Sequence, residues 1–355
     1  MKRILLASAS IVAFAGAASA DGHVGISFTG DAELGYNDDA SGDNDGFYSE
    51  LDITIGVAAE LDNGITAAAT IDFEDLANGG GNNGDDYELS LTSSDFGLFY
   101  GDTNFAAQNI WVAAGSMASD NFSEADGEEA IRGEVFYNDI TAQVSYVLGE
   151  SGGTRNAADD GNQLSLGVSA DFGNYNFIVA YQEESDEAAG FYAANGDFTD
   201  EEVFGISAAT TISNISIRLA YADNSVSDST GLEVSYPFGP VTATAFYVSE
   251  SVGDDSWGVT LAYSEDPLTV TFNYEDEQGA EDWDLEGSYD LGNGLVVFAG
   301  VADEGDDYYV GGEYDLGSGA QLLVSYAEDE AGDAGDEIGN EEFQLGTTIE
   351  LSFEF

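Results

Sequence analysis

Carboxylates are the side chains through which this chain could do chemistry. The 355 residues include 70 Asp and Glu but only 5 Lys and Arg, which gives a formal net charge of −65. Cysteine is absent and His23 is the single histidine, so disulfides, thiolate metal sites and cysteine nucleophiles are excluded. No nucleic-acid partner is expected, because phosphate binding needs basic side chains and this acidic surface would repel it.

Two site chemistries based on carboxylates find little support. Paired acids can cleave glycosidic bonds, but they need a defined separation and one raised pKa, and among 70 acids chance pairs carry no information. The acidic loops at 43–46 and 333–342 could hold calcium, although neither has EF-hand spacing. The simpler interpretation is that both are solvated surface loops. We therefore expect no enzyme and no cofactor, with weak calcium binding at these loops as the open alternative.

The first twenty residues have the pattern of an export signal. Lys2 and Arg3 precede a short apolar stretch, and the small residues at 18–20 form a cleavage pattern. The apolar stretch is short for a membrane anchor. We interpret 1–20 as a signal peptide and 21–355 as one exported domain.

Strict alternation of apolar and polar residues follows the predicted signal. In the first segment one face carries Val24, Ile26, Phe28, Gly30, Ala32, Leu34 and Tyr36. The other face carries Ser27, Thr29, Asp31 and Glu33. Because side chains alternate between the two faces of a strand, this pattern predicts a β-strand with one apolar and one wet face.

About twenty segments of this kind follow one another along the chain, joined alternately by short turns and by longer acidic loops. This arrangement predicts an up-and-down meander. Tandem soluble sandwiches would need linkers, and none is seen, while an apolar strand ending at Phe355 would leave an open edge unless it paired with the first strand. We therefore predict an all-β fold: a transmembrane antiparallel up-and-down β-barrel, with its apolar face toward lipid and its acidic face toward water.

Four short motifs resemble those of Gram-negative general diffusion porins, most closely the alphaproteobacterial type. They are the opening strand at 26–30, the stretch 97–102 before a long third loop, the stretch 135–138 after it, and the terminal strand 351–355. The resemblance implies a homotrimer of water-filled barrels in the cell outer membrane, in contact with outer-membrane lipid and lipopolysaccharide. It also implies that the assembly machinery reads the terminal Phe355, that the third loop folds into the lumen, and that sixteen strands form the wall, fewer than the twenty counted.

The same resemblance suggests which residues form the constriction of the pore. The candidate third loop, about 104–130, carries the expected constriction acids Asp120, Glu124, Asp126, Glu128 and Glu129. Strand parity, and not the resemblance, gives the expected lumen-wall residues, which are Asp31, Glu33, Glu50, Asp52, Asp72, Glu74, Arg132 and Arg218. Porins of the family often set loop acids against a cluster of Arg and Lys, but that cluster is nearly absent here, so we expect a weak transverse field.

A pore lined by carboxylates attracts cations and repels anions. We therefore expect a channel for passive diffusion of ions and small hydrophilic solutes that prefers cations. Two alternatives stay open: an exported soluble acidic β-rich structural or adhesive surface protein, and a substrate-specific barrel channel. The acid excess is equally explained by a saline habitat, and the two explanations are compatible.

Overall fold

The structure, a computed structural model, describes residues 24–38, 46–74, 76–77, 87–124, 129–148, 161–185, 199–302, 305, 307–329, 337–338 and 343–355. The predicted signal peptide, His23, the constriction acids Asp126 and Glu128, and nearly all of the two candidate calcium loops lie outside the described residues. No helix in the described part of the chain is long and apolar enough to span a membrane.

The described chain is almost entirely strand. The first half contains β1 (Gly25–Asn37), β2 (Gly46–Glu60), β3 (Thr66–Phe73), β4 (Tyr87–Thr92), β5 (Phe96–Asp102), a short helix α1 (Ala106–Ile110), β6 (Glu129–Tyr137), β7 (Ile140–Leu148), β8 (Gly161–Phe172), β9 (Tyr175–Gln182) and β10 (Val203–Ile212). The second half contains β11 (Ile215–Asp223), β12 (Asp228–Phe238), β13 (Val241–Glu250), β14 (Ser256–Glu265), β15 (Leu268–Glu277), β16 (Ala280–Gly292), β17 (Leu295–Ala302), β18 (Asp307–Gly317), β19 (Ala320–Asp329), β20 (Glu337–Ile338), β21 (Phe343–Gln344) and β22 (Gly346–Glu354).

Twenty of these strands form one closed antiparallel barrel. Each strand from β1 to β19 pairs with the next, β19 pairs with β22, and β22 pairs with β1. Phe355 completes the seam, since its N–H donates to the Gly30 carbonyl at 2.9 Å and its carbonyl accepts from the Gly30 N–H at 3.0 Å. Closure leaves no free edge, as the apolar terminal strand predicted. The count of twenty strands is confirmed, and the sixteen expected from the family resemblance is wrong for this chain.

Alternation places apolar side chains on the outside of the barrel. Phe28, Leu219 and Val310 are 64%, 54% and 52% exposed, and each lies on a strand whose neighbouring residues face inward. So much exposed apolar surface is unfavourable in water but is what a lipid-facing barrel wall requires.

Short turns join the strands at one end of the barrel. Gly64, Asn214 and Asn293 have φ values of 77°, 68° and 58°, the left-handed conformation that tight antiparallel connections require. Glycine and asparagine adopt it at low cost, which explains why the turns are rich in these residues.

Candidate functional site

Two backbone N–H groups of the third loop show which face of the wall is the lumen. The loop joins β5 to β6, and its residues 103–124 are described. The N–H of Ala106 donates to Ser145 Oγ at 2.8 Å, and that of Ala107 donates to Ser165 Oγ at 2.7 Å. Ser145 and Ser165 are opposite each other in the β7–β8 register. Since residues paired across strands share a face, this contact assigns the lumen face around the whole wall.

Glycines of the wall let the loop backbone lie directly against it. A Cβ at Gly167 would be 2.3 Å from the Ala106 carbonyl oxygen, and one at Gly231 would be 2.2 Å from the Ala114 carbonyl oxygen. A Cβ at Gly205 would be 2.5 Å from the Trp111 ring. These three glycines, on β8, β10 and β12, form a seat for the loop that any larger residue would close.

Apolar side chains fix the loop to the same part of the wall. One cluster contains Ala114, Met117, Ala220, Ala222 and Val248. A second contains Ala107, Phe122, Ala180 and Val203. The Trp111 ring packs against both. Burying a side chain the size of Met or Phe stabilises a fold by about 1.5–3 kcal/mol, so these contacts hold the loop as firmly as a small core.

Polar contacts anchor the far end of the loop. The N–H of Ser119 donates to Ser229 Oγ at 3.0 Å, and that of Ser123 donates to Gln182 Oε1 at 2.7 Å. Thr199 then joins the loop, since its hydroxyl donates to the Asn121 carbonyl at 2.8 Å. With contacts from Ala106 to Ser123, the described part of the third loop is held against the inner wall of the barrel.

Wall carboxylates also bind the loop, and sequence reasoning missed them. Ser116 Oγ donates to the Glu275 carboxylate, and the N–H of Ala118 donates to Glu250 Oε1 at 3.1 Å. Ser229 Oγ donates to the other Glu250 oxygen at 2.5 Å. The signal available was strand parity: both glutamates lie on the wet face of β13 and β15, but nothing in the sequence links them to the loop.

Of the predicted constriction acids, the structure describes Asp120, Glu124 and Glu129, and their surroundings differ. Asp120 is half-buried and accepts a hydrogen bond from Trp111 Nε1 at 2.9 Å. Burial raises the pKa of Asp120, the hydrogen bonds from Trp111 and the backbone oppose this rise, and the charge of Glu250 adds to it. Glu124 is exposed.

Glu129 requires a correction, because it does not belong to the third loop. It is the first residue of β6 and pairs with Asp102, so the strand begins earlier than the sequence predicted. Its face is opposite to that of Ala130, which places it on the outside of the barrel. There it accepts hydrogen bonds from the Tyr87 hydroxyl at 2.9 Å and the Tyr100 hydroxyl at 3.4 Å.

The wall acids predicted on the first strands share the lumen face. Asp31 lies directly opposite Asp52, and Glu33 directly opposite Glu50, in the β1–β2 register. Like charges placed opposite each other destabilise a sheet unless cations or water separate them. Asp72 is on the same face and accepts a hydrogen bond from the Thr54 hydroxyl. Glu74 lies just beyond the end of β3 and is exposed.

Two arginines lie on the lumen face, as parity predicted. Arg132 is buried at the root of the third loop, where Nη2 donates to Thr103 Oγ1 at 3.1 Å and Nη1 is 3.4 Å from Glu134 Oε2. Its guanidinium lies 4.3 Å from the centre of the Phe99 ring. Arg218, on β11, is opposite Glu233. Each arginine therefore has a carboxylate as a near neighbour, and the two do not combine into a basic cluster.

Further lumen carboxylates complete the lining and were not singled out from the sequence. They are Glu88, Glu134, Glu286, Glu313 and Glu350, each in register with a wall residue already assigned to the lumen. Carboxylates are therefore frequent on the lumen face from β1 to β6 and from β12 to β22, whereas the described lumen face of β9–β11 carries none.

The chain is similar to solved porin structures and to one protein-family model. Solved structures of engineered variants of the Rhodopseudomonas blastica porin align with TM-scores of 0.47 and 0.48, at 15% identity, over 93% of this chain and 100% of theirs. The barrel fold of this chain is therefore assigned from its own strand pairing and not from these structures. No curated protein matches the chain.

The sequence model of the family described as Gram-negative porin matches residues 7–334, which is most of the chain. Membership of this family and the closed barrel together explain the apolar exterior, the wet lumen and the loop within it. The chain belongs to the Gram-negative porin family and is a diffusion channel of the outer membrane.

Proposed function

We propose that this porin conducts ions and small hydrophilic solutes passively, with a preference for cations. The observation that carries the proposal is the pair of directly opposed carboxylates on the lumen face, Asp31 with Asp52 and Glu33 with Glu50. Such pairs are tolerated only where counter-cations or water lie beside them, so cations are favoured at this part of the wall.

Electrostatics extends the preference beyond these pairs. Only Arg132 and Arg218 are basic among the described wall residues, and Arg132 is already paired with Glu134. Barrel walls of low dielectric focus the field of the remaining acids along the pore. Because ionic screening limits the reach of each charge to ~8 Å at physiological ionic strength and ~3 Å at 1 M, the preference should fade as salt rises.

The reversal potential of a single porin in a planar bilayer under a KCl gradient tests this proposal. Wild type should prefer potassium at low salt. The double variant Glu33→Gln, Glu50→Gln should lower the potassium-to-chloride ratio by up to about fivefold per charge removed, since a charge ~8 Å away in water attracts potassium by ~0.5 kcal/mol and repels chloride by the same amount.

Glu129→Gln is the matched control, because it removes a carboxylate from the outer face of the same barrel. Its selectivity should equal that of wild type. Chloride preference in the wild-type channel at low salt would overturn the proposal.

We also propose that 1–20 is a cleaved signal and that the barrel forms a homotrimer in contact with lipopolysaccharide. We further propose that the assembly machinery reads Phe355. In support of the last point, Phe355 is held by its backbone at the seam while its ring is 58% exposed. Phe355→Ala should keep the Gly30 hydrogen bonds but lower the amount of folded trimer in the outer membrane. An unchanged amount would contradict the role given to the ring.

A further inference from the structure

An aromatic cluster lies inside the lumen, away from the third-loop contacts, which lie on β6–β15. The rings of Phe298 and Phe343 stack with their centres 4.5 Å apart and their planes 13° apart. Phe343 also lies 4.8 Å from the ring of Tyr309. Phe298 and Tyr309 belong to the wall strands β17 and β18, and Phe343 comes from the small β20–β21 sheet. Aromatic rings on the wet face of a pore are unexpected and need a reason.

Wall glycines hold the rings flat against the barrel. A Cβ at Gly311 would be 2.5 Å from the Phe298 ring, and one at Gly300 would be 2.4 Å from the Tyr309 ring. A third ring, that of Tyr48 on β2, covers Gly35 in the same way, at 2.1 Å. Phe298 and Tyr48 remain partly exposed and so present aromatic surface to the lumen.

Carboxylates border these rings. The Tyr309 hydroxyl donates to Glu286 Oε2 at 2.9 Å, and the Tyr48 hydroxyl donates to Glu350 Oε2 at 2.5 Å. Glu33, Glu50 and Glu313 line the same cavity, whose volume is about 710 Å³. Negative charge therefore meets apolar aromatic surface along one side of the pore.

A buried hydroxyl provides a separate sign of a binding site. Ser325 on β19 lines this cavity and is only 3% exposed, yet its Oγ has no hydrogen-bond partner among the described residues. Buried polar groups are nearly always paired, so an unpaired hydroxyl on a residue that lines a cavity points to a polar group bound there.

We propose that this part of the lumen, the aromatic site, binds organic ammonium cations that carry an apolar face. The proposal rests on the cation preference proposed above and names the class of cation favoured. Aromatic faces attract alkylated ammonium groups, and the surrounding carboxylates neutralise their charge. The cavity volume is in the range that holds a small organic ligand. Potassium, which has no apolar face, gains much less from the rings.

Block of the potassium current by tetraethylammonium tests the proposal in a planar bilayer holding the full-length mature porin. Potassium conductance should fall saturably as tetraethylammonium is added to one side. Phe298→Leu and Tyr48→Leu keep apolar volume but remove a ring, so half-block should need a tetraethylammonium concentration roughly threefold to tenfold higher. Glu313→Gln should raise it similarly, and because it leaves every ring in place it tests the site even if a ring variant fails to fold.

Glu233→Gln is the control, since it removes a lumen carboxylate of β12 that lies outside the cavity. It should leave the half-blocking concentration close to that of wild type. The reversal potential of each channel is recorded in the same experiment. Equal block in wild type, both ring variants and Glu313→Gln, with potassium still preferred, would overturn the aromatic site and leave the cation-preferring channel standing. Chloride preference in wild type would overturn the channel proposal itself.

Discussion

Asp120 lies half-buried in the third loop, between the Trp111 indole and the charge of Glu250. Its surroundings favour the neutral form, because burial penalises the ionised carboxylate more than one indole hydrogen bond repays. Its protonation should therefore depend on the packing of the loop around it.

We expect Trp111 to report the protonation of Asp120. The folded-state pKa of Asp120 is raised above its unfolded value, so its contribution to stability is complete below the unfolded pKa and is lost as pH rises through the folded one. Trp111 is the only tryptophan left in a variant that carries Trp257→Phe and Trp283→Phe. The ordinary pKa of Asp is about 3.9, and the emission of Trp111 should change at a pH above that value. Adding Asp120→Asn should abolish the change, and a transition that survives this substitution would contradict the assignment.

Arg132 connects the wall with the root of the third loop. Its guanidinium bonds Thr103, pairs with Glu134 and stacks on Phe99, so geometry matters as much as charge. Lysine has no planar fork with which to make these contacts together.

Arg132→Lys should therefore lower the stability of the barrel by about 1–3 kcal/mol, although the charge is kept, because Glu134 or Thr103 loses a partner. Denaturant unfolding of the detergent-solubilised barrel measures the loss. Arg218→Lys is the comparison, since its Nη1 has no hydrogen-bond partner among the described residues, and it should change stability by less than about 0.5 kcal/mol. Equal losses in the two variants would contradict this account.

The third loop is held by shape as well as by hydrogen bonds. Its backbone occupies the space above Gly167 and Gly231, where side chains would otherwise stand. A loop mounted in this way cannot move away from the wall without exposing Met117 and Phe122, so the width of the constriction is set by packing.

Gly231→Ala should displace the loop. The new Cβ would meet the Ala114 carbonyl oxygen at 2.2 Å, which forces the backbone to shift and costs about 1–3 kcal/mol. Single-channel recordings should show an altered conductance with more open-channel noise. Gly133→Ala is the matched control, because its Cβ would meet nothing nearer than the Val144 side chain at 3.8 Å. A Gly231→Ala channel that conducts like the control would show that the seat is not needed.

Across the barrel, like charges oppose one another and the structure must tolerate their repulsion. The formal net charge of −65 and the facing pairs of β1 and β2 both act against the compact state at low ionic strength. Screening reduces this repulsion as the Debye length shortens from ~30 Å at 0.01 M to ~3 Å at 1 M.

The thermal unfolding temperature of the barrel should therefore rise with salt. The double variant Glu33→Gln, Glu50→Gln should unfold at a higher temperature than wild type at low salt and show a smaller salt dependence. Unfolding followed by circular dichroism or by gel mobility with and without heating measures both quantities. A salt dependence that is identical in the two proteins would mean that these residues do not repel each other in the folded barrel.

Alternation along the sequence determined the strands, their number and the face of the acids predicted on β1–β3, because side-chain direction in a strand follows from position alone. The closed seam at Phe355 followed from the cost of an open apolar edge. The tertiary structure decided the contacts that the two-residue alternation of the strands does not specify. Glu129 faces outward because its strand begins two residues earlier than predicted, and Asp120 is half-buried because the loop folds back onto Trp111. The seat of glycines under the loop and the rings over Gly300 and Gly311 bring together residues far apart in the chain. Such contacts depend on the shape and closure of the whole barrel, so they cannot be predicted from the local sequence.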